Sequence, residues 1–232
     1  MTTIWTSNKV DRIMVFVAAG IRRSASTLVF QIACELVGTD YRIRHWRERP
    51  KNIYSPNQWW VAKSHVFLPE AISELGHGKI IAYPTIRDPR DVAVSMMTLH
   101  SDTFEEVMDL GVIKRDVENF DMWVDELELG KYCFMDRYED FYHDLQGLVL
   151  SIASVMDIRP TARTVMELAE RFSFESNKAR ADIIGKSEED LLFPGHLQTG
   201  KVGMWRDVLT KEQANRVVDI IGRDWFAEWG YE

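Results

Sequence analysis

Two periods of hydrophobic positions alternate along the chain. Arg12 to Ala19 (RIMVFVAA) is a β-rich apolar run ending at Gly20, the pattern of a central parallel strand covered on both faces. After a polar loop, Leu28, Ile32 and Leu36 recur at helical spacing with Val29, Ala33 and Val37 beside them, and Gly38 supplies a stop. Thr39 to Trp46 (TDYRIRHW) predicts a second strand and Trp59 to Ser64 (WWVAKS) a short third, after which Pro69 starts a helix. Lys79 to Ile86 (KIIAYPTI) predicts another strand, in which Pro84 removes a ladder donor and so predicts a bulge or irregular end. Asp88 and Pro89 read as N-cap and first residue of a helix over Arg90 to Leu99, which leaves Arg87 at the strand's carboxyl end.

Phe104 to Leu129 has helical spacing and an acidic surface, and Tyr132 to Met135 (YCFM) predicts a last short core strand before RYEDF. The remainder reads as helical except Gly185 to Asp207, a Gly- and Pro-containing stretch too long for a plain connector. A final helix begins at Thr210, where Thr210 and Gln213 match a capping box. Strands alternating with helices, without a repeat or low-complexity linker, predict an α/β fold whose central parallel sheet has helices on both faces.

Composition narrows this picture. With 232 residues, 46% hydrophobic and 28% charged, the chain can bury one full core, and a single domain over 1–232 is expected. The longest apolar runs, Ile13 to Ala19 and Leu28 to Val37, fall short of a membrane span. The N-terminus MTTIWTSNKVDR lacks the order of a secretory signal, so a cytoplasmic location is expected. Cys34 and Cys133 sit in apolar segments with no partner at ligand spacing, which implies neither a disulfide framework nor zinc. A net charge of −8 argues against a nucleic-acid or polyanion binder, so any anion site is local.

In an open parallel sheet, ligands bind beyond the carboxyl ends of the strands. The first such loop, GIRRSASTL from Gly20 to Leu28, places two arginines and three hydroxyls before a buried helix, whose free N–H groups and dipole attract an anion. The alternative is a solvated turn with Ser24 or Ser26 as N-cap. The loop does not satisfy GxxxxGK[ST], having Ala25 and arginines where a glycine and a lysine are required, which weighs against Mg-dependent phosphoryl transfer.

The loop resembles the 5′-phosphosulfate loop of sulfotransferases that use 3′-phosphoadenosine 5′-phosphosulfate (PAPS), and is nearer the RSGST form than PKSGTTW. Arg23 matches the basic residue, Ser24 the serine, and Ser26 and Thr27 the paired hydroxyls, while Ala25 replaces glycine and Leu28 stands where many members have tryptophan. IRDPRDVAVS, Ile86 to Ser95, is similar to the family's RxPxDxxxS motif, and KSH, Lys63 to His65, to its KTH segment. LQTGKVGMWRDVLT, Leu197 to Thr210, resembles the family's RKGxxGDWKNxFT segment, which folds over the nucleotide. Gly200, Gly203 and Trp205 coincide, Arg206 replaces lysine, and Gln198 and Thr199 replace the Arg-Lys pair, with Lys201 as compensation. RYEDF, Arg137 to Phe141, is similar to YEDL.

The resemblance implies a three-layer α/β domain of the nucleotide-kinase-like kind, with PAPS as donor, 3′-phosphoadenosine 5′-phosphate (PAP) as product and no metal. It assigns His65 as general base, with Lys63 and Arg23 neutralising the leaving phosphate. Arg22, Arg23, Ser24, Ala25, Ser26, Thr27 and Leu28 would form the 5′-phosphate loop. Arg87 and Ser95 would hold the 3′-phosphate, Thr199, Gly200, Lys201, Val202 and Gly203 would cover it, and Tyr138 and Trp205 would hold the base. A histidine's ordinary pKa suits removal of a proton from an acceptor hydroxyl or amine. The acceptor, a small molecule or a glycan, is unspecified: Trp46, Tyr54, Trp59, Trp60, His100 and Trp123 either line an aromatic pocket or belong to the core. Competing readings are a Mg-ATP-dependent small-molecule kinase and a non-catalytic nucleotide-binding relative, the latter suggested by Ala25, Leu28, Gln198 and Thr199. Trp225 to Trp229 packs internally or forms a dimer contact.

Overall fold

The computed structural model describes residues 14–38, 42–43, 59–67, 69, 72–73, 80–127, 130–184, 191–192, 195 and 197–231. Its strands are β1 (Met14–Gly20), β2 (Arg42–Ile43), β3 (Trp59–Lys63), β4 (Ile80–Ile86) and β5 (Asp136–Arg137). They form one sheet in the order β2-β3-β1-β4-β5, and every pairing is parallel. The helices are α1 (Ser26–Val37), α2 (Pro89–His100), α3 (Phe104–Asp109), α4 (Val112–Glu126), α5 (Tyr138–Phe141), α6 (Leu145–Val155), α7 (Ala162–Arg171), α8 (Phe174–Ile184), α9 (Trp205–Val208), α10 (Lys211–Ile221) and α11 (Arg223–Glu228).

The alternation of β1 explains its central place. Phe16 and Ala18 face one way, into a cluster with Val29, Phe30 and Ala33 of α1 and Val149 and Ile152 of α6. Val15, Val17 and Ala19 face the other way, against Trp123 and Leu127 at the end of α4. A third cluster joins α2, α3, α4, α10 and α11 through Val92, Val107, Phe120, Val217 and Phe226. Trp225 packs inward there, its ring stacked on Tyr231 and its Nε1 donating to Asp121. Among the described residues no helix is long and apolar enough to cross a membrane.

Several expectations change in detail. Pro84 makes neither a bulge nor an irregular end, since the pairing of β1 with β4 runs without a slip from Val15–Ile80 to Gly20–Thr85. Ala82 bonds Tyr132 and Phe134 on the β5 side, and strand alternation puts the missing N–H of Pro84 on that side too, clear of the β1 ladder. The apolar run Tyr132 to Met135 is not a strand. Cys133 makes only an isolated bridge to Ala82, and the ladder forms at the polar pair Asp136–Arg137. Phe104 to Leu129 is broken at Gly111, whose φ of 60° ends one helix and opens the next. Of the predicted strand Thr39 to Trp46, Arg42–Ile43 is observed as β2 and the rest lies outside the described residues. The capping boxes at Thr103 and Thr210, and the Asp88 carboxylate accepting the Arg90 amide as cap, set the starts of α3, α10 and α2.

Candidate active site

The carboxyl ends of β1, β3 and β4 converge on one cavity of about 430 Å³. Gly20 ends β1 at a φ of 120°, and a Cβ there would collide with the Thr85 backbone. The following loop is held in shape by Ser24, which is fully buried and has its hydroxyl 2.8 Å from both the Thr85 carbonyl oxygen and the Thr85 hydroxyl. Ser24 is therefore not the N-cap of α1, and neither is Ser26. The cap position is Ala25, and no side chain bonds the first-turn amides.

Arg23 and Ala25 both adopt left-handed backbone, at φ 67° and 70°. This alternation turns successive N–H groups to one side, the geometry of an anion-binding nest. The amides of Ala25, Ser26 and Thr27 have no acceptor among the described residues, and neither do the Ser26 and Thr27 hydroxyls. The loop's other end is anchored by Asp116, which accepts the Arg22 amide at 2.9 Å and also pairs with the Arg22 guanidinium.

Arg87 lies across the cavity, its guanidinium 4.4 Å over the Tyr138 ring. It donates to the Lys201 carbonyl at 2.6 Å and to the Arg23 carbonyl at 3.3 Å, while its buried Nε has no partner. Ser95, two turns along α2, accepts from Arg23 Nε at 2.9 Å, so the RxPxDxxxS motif and the loop after β1 meet directly. Burial, reinforced by Arg87, lowers the Arg23 pKa to about 10.

At the end of β3, Lys63 and His65 face the same space. His65 Nδ1 lies 2.8 Å from the Gly20 carbonyl, which can only accept, so Nδ1 carries the proton and Nε2 is the acceptor. Lys63 Nζ donates to Nε2 at 3.2 Å. Burial first, then the charges of Arg22 and Arg23, lowers the Lys63 pKa to about 8.

The segment from Leu197 to Met204 closes another side. Tyr138 donates to the Gly200 carbonyl at 2.6 Å. Asp91, almost wholly buried, accepts the Gly203 and Trp205 amides at 2.7 and 2.9 Å and lies 3.7 Å from Arg87. Burial raises the Asp91 pKa against these bonds. Arg22, Arg23, Ala25, Ser26, Thr27 and Leu28 line the cavity from the loop. Lys63, His65, Arg87, Ser95, Tyr138, Thr199 and Gly200 line it from the remaining sides. Ser24, Lys201, Val202, Gly203 and Trp205 do not, and the Trp205 ring is instead flanked by Arg90 at 3.8 Å and Arg206 at 4.5 Å.

His100 borders the cavity, whereas Trp59, Trp60 and Trp123 pack in or against the core, and Trp46 and Tyr54 lie outside the described residues. Phe172, Phe174 and Asn177 also line the cavity; nothing in their local sequence marks them. Asp91 had a signal, standing one helical turn from Arg87 inside the motif. Among the described residues no group of three His, Cys, Asp or Glu is arranged to hold a metal.

In an acidic protein this cavity gathers guanidinium groups, an ammonium and open amides on one side of a histidine acceptor, an arrangement suited to a multiply charged nucleotide beside a group that gives up a proton. The family model described as the sulfotransferase domain matches residues 5–230. Among solved structures, retinol dehydratase in complex with androsterone and the inactive cofactor PAP is 19% identical with a TM-score of 0.65, over 91% of this chain and 80% of its own. A mouse sulfotransferase complexed with PAP is 14% identical with a TM-score of 0.66, over 90% and 82%. Retinol dehydratase with retinol and PAP is 18% identical with a TM-score of 0.65, over 91% and 80%. At these identities the likeness to solved structures is one of fold. No curated protein matches the chain.

Proposed function

The chain belongs to the sulfotransferase family, and from that premise we propose that it moves a sulfuryl group from PAPS to a hydroxyl or amine of a small-molecule or glycan acceptor and releases PAP. It does so as a single domain in the cytoplasm. The observation that carries this reading is the meeting, on one cavity, of the open Ala25–Thr27 amides, the partnerless Nε of Arg87 and the His65 acceptor nitrogen. These groups fit the donor: the amide nest and the hydroxyls of Ser26 and Thr27 suit its 5′-phosphate, and Arg87 with Ser95 suits the 3′-phosphate as a fixed fork.

When bound, PAPS supplies the sulfuryl group and a phosphate leaving group. Lys63 and Arg23 neutralise the oxygen that gains charge as its bond to sulfur breaks. Lys63 Nζ, 3.2 Å from His65 Nε2, would turn toward that oxygen, so that Nε2 faces the acceptor. His65 then takes the acceptor's proton as the acceptor oxygen or nitrogen bonds to sulfur, and the Gly20 carbonyl steadies the imidazolium through Nδ1–H. Tyr138 and the aromatic wall of Phe172 and Phe174 suit the adenine.

The test is transfer from labelled PAPS to a panel of uncharged alcohols, phenols and glycans, starting with the androsterone and retinol that accompany the solved structures. His65→Ala should lower turnover by about two to four orders of magnitude while PAP binding persists. Near-normal turnover in that variant removes His65 from the role, and no transfer to any acceptor despite PAP binding favours a non-catalytic relative.

A further inference from the structure

On one face of α4, Asp116 and Asn119 stand three residues apart and reach two different segments of the site. Asp116, with a side chain 2% exposed, takes the Arg22 amide on one oxygen and the Arg22 guanidinium on the other. Asn119, also buried, accepts the Phe67 amide through Oδ1 at 2.6 Å, while its Nδ2 donates to the Arg115 carbonyl at 2.7 Å. The second bond fixes which way the amide points, since a flip would set two donors and two acceptors against each other. One turn on, Trp123 meets the Phe67 ring edge-on at 5.1 Å.

Arg22 lies two residues beyond the end of β1, and Phe67 lies two residues beyond His65. The two segments also meet through the His65 Nδ1 bond to the Gly20 carbonyl. A bond of 2.8 Å between two loops keeps that length only if both loops are held, and α4 holds both. Neither Asp116 nor Asn119 borders the cavity, so neither acts by touching a ligand there.

We propose that Asp116 and Asn119 are positioning residues, through which α4 fixes the anion loop at Arg22 and the β3 exit at Phe67 and so sets His65 against that loop. The two act on different halves of the reaction. Asp116 governs the donor side, because it shapes the loop of open amides. Asn119 governs turnover, because it holds the segment that carries the base. The turnover part of this inference rests on the sulfuryl-transfer reading, whereas the placement of His65 does not.

The experiment therefore has an arm that needs no reaction. In the full chain labelled with ¹⁵N-histidine, NMR reads the His65 tautomer and the exchange of its Nδ1 proton, with the signals assigned by their loss in His65→Gln. Wild type should show one tautomer with a protected Nδ1 proton. Asn119→Leu should show mixed tautomers and fast exchange. Asn119→Ser, too short to reach the Phe67 amide, serves equally if the leucine variant does not fold. In turnover, Asn119→Leu or Asn119→Ser should lower kcat by about ten- to hundredfold, with PAP affinity little changed. Asp116→Asn should show the reverse split, weaker PAP binding with a smaller loss of kcat. His65 signals unchanged in both the leucine and serine variants would overturn the proposal, as would equal losses of kcat and PAP affinity at Asn119. A wild type that holds His65 in one tautomer yet transfers no sulfuryl group counts against the transfer reading alone.

Discussion

Lys63 shows how one residue's surroundings set its chemistry. A lysine ordinarily keeps its proton to a pH above 10, but burial and the nearby Arg22 and Arg23 bring this one down to about 8. The charged form is the one that can donate to a leaving phosphate oxygen. Activity of the free enzyme, read as kcat/KM, should therefore fall as pH rises through about 8. A bound polyanionic donor favours the ammonium, so the matching limb of kcat should lie at higher pH. Parallel pH profiles of the two parameters check this, with Lys63→Arg as the variant in which the limb disappears. A kcat/KM that stays level from about pH 7 to about pH 9.5 would show that the Lys63 proton takes no part.

At the scale of elements, the segment from Leu197 to Met204 depends on α2. Its carbonyls at Gly200 and Lys201 accept from Tyr138 and Arg87, and its Gly203 amide, with that of Trp205 beyond it, ends on Asp91. Asp91→Ala removes both amide acceptors and the carboxylate facing Arg87, so donor affinity should fall by about tenfold or more and proteolytic cleavage within 197–204 should quicken. Asp91→Asn should lie between. Unchanged cleavage and affinity in a folded Asp91→Ala would mean that the segment is held by its other contacts. The sequence made α2 legible because Asp88, Pro89 and the Arg87-to-Ser95 spacing are local signals, and β1, α1 and β4 because their periods are long and end at Gly20, Gly38 and Arg87. It misplaced β5, since the apolar Tyr132 to Met135 run advertises burial, whereas the ladder depends on register with Thr85 and Ile86. It gave no sign of the left-handed Arg23 and Ala25, which are not glycines, nor of Asp116, whose partner Arg22 is 94 positions away.

Over the whole molecule, a net charge of −8 coexists with a cavity that concentrates Arg22, Arg23, Lys63 and Arg87. Asp116 and Asp91 offset part of that charge, yet Arg23 and Lys63 both have pKa values lowered by burial and by neighbouring cations. A bisphosphate should relieve this repulsion in the folded protein and find no such site in the unfolded chain. PAP at a hundredfold excess over its Kd should then stabilise the fold by about 2.7 kcal/mol, which for 232 residues is a rise in melting temperature of roughly 5 to 11 °C. ADP, without the 3′-phosphate, should give a smaller rise at equal concentration, and Arg87→Ala should narrow the gap between the two ligands. The PAP effect should weaken with added salt, because screening reduces both the repulsion in the empty cavity and the attraction of the ligand. Equal rises with PAP and ADP would take the 3′-phosphate away from Arg87, and a rise with Mg-ATP alone would turn the same cavity toward phosphoryl transfer.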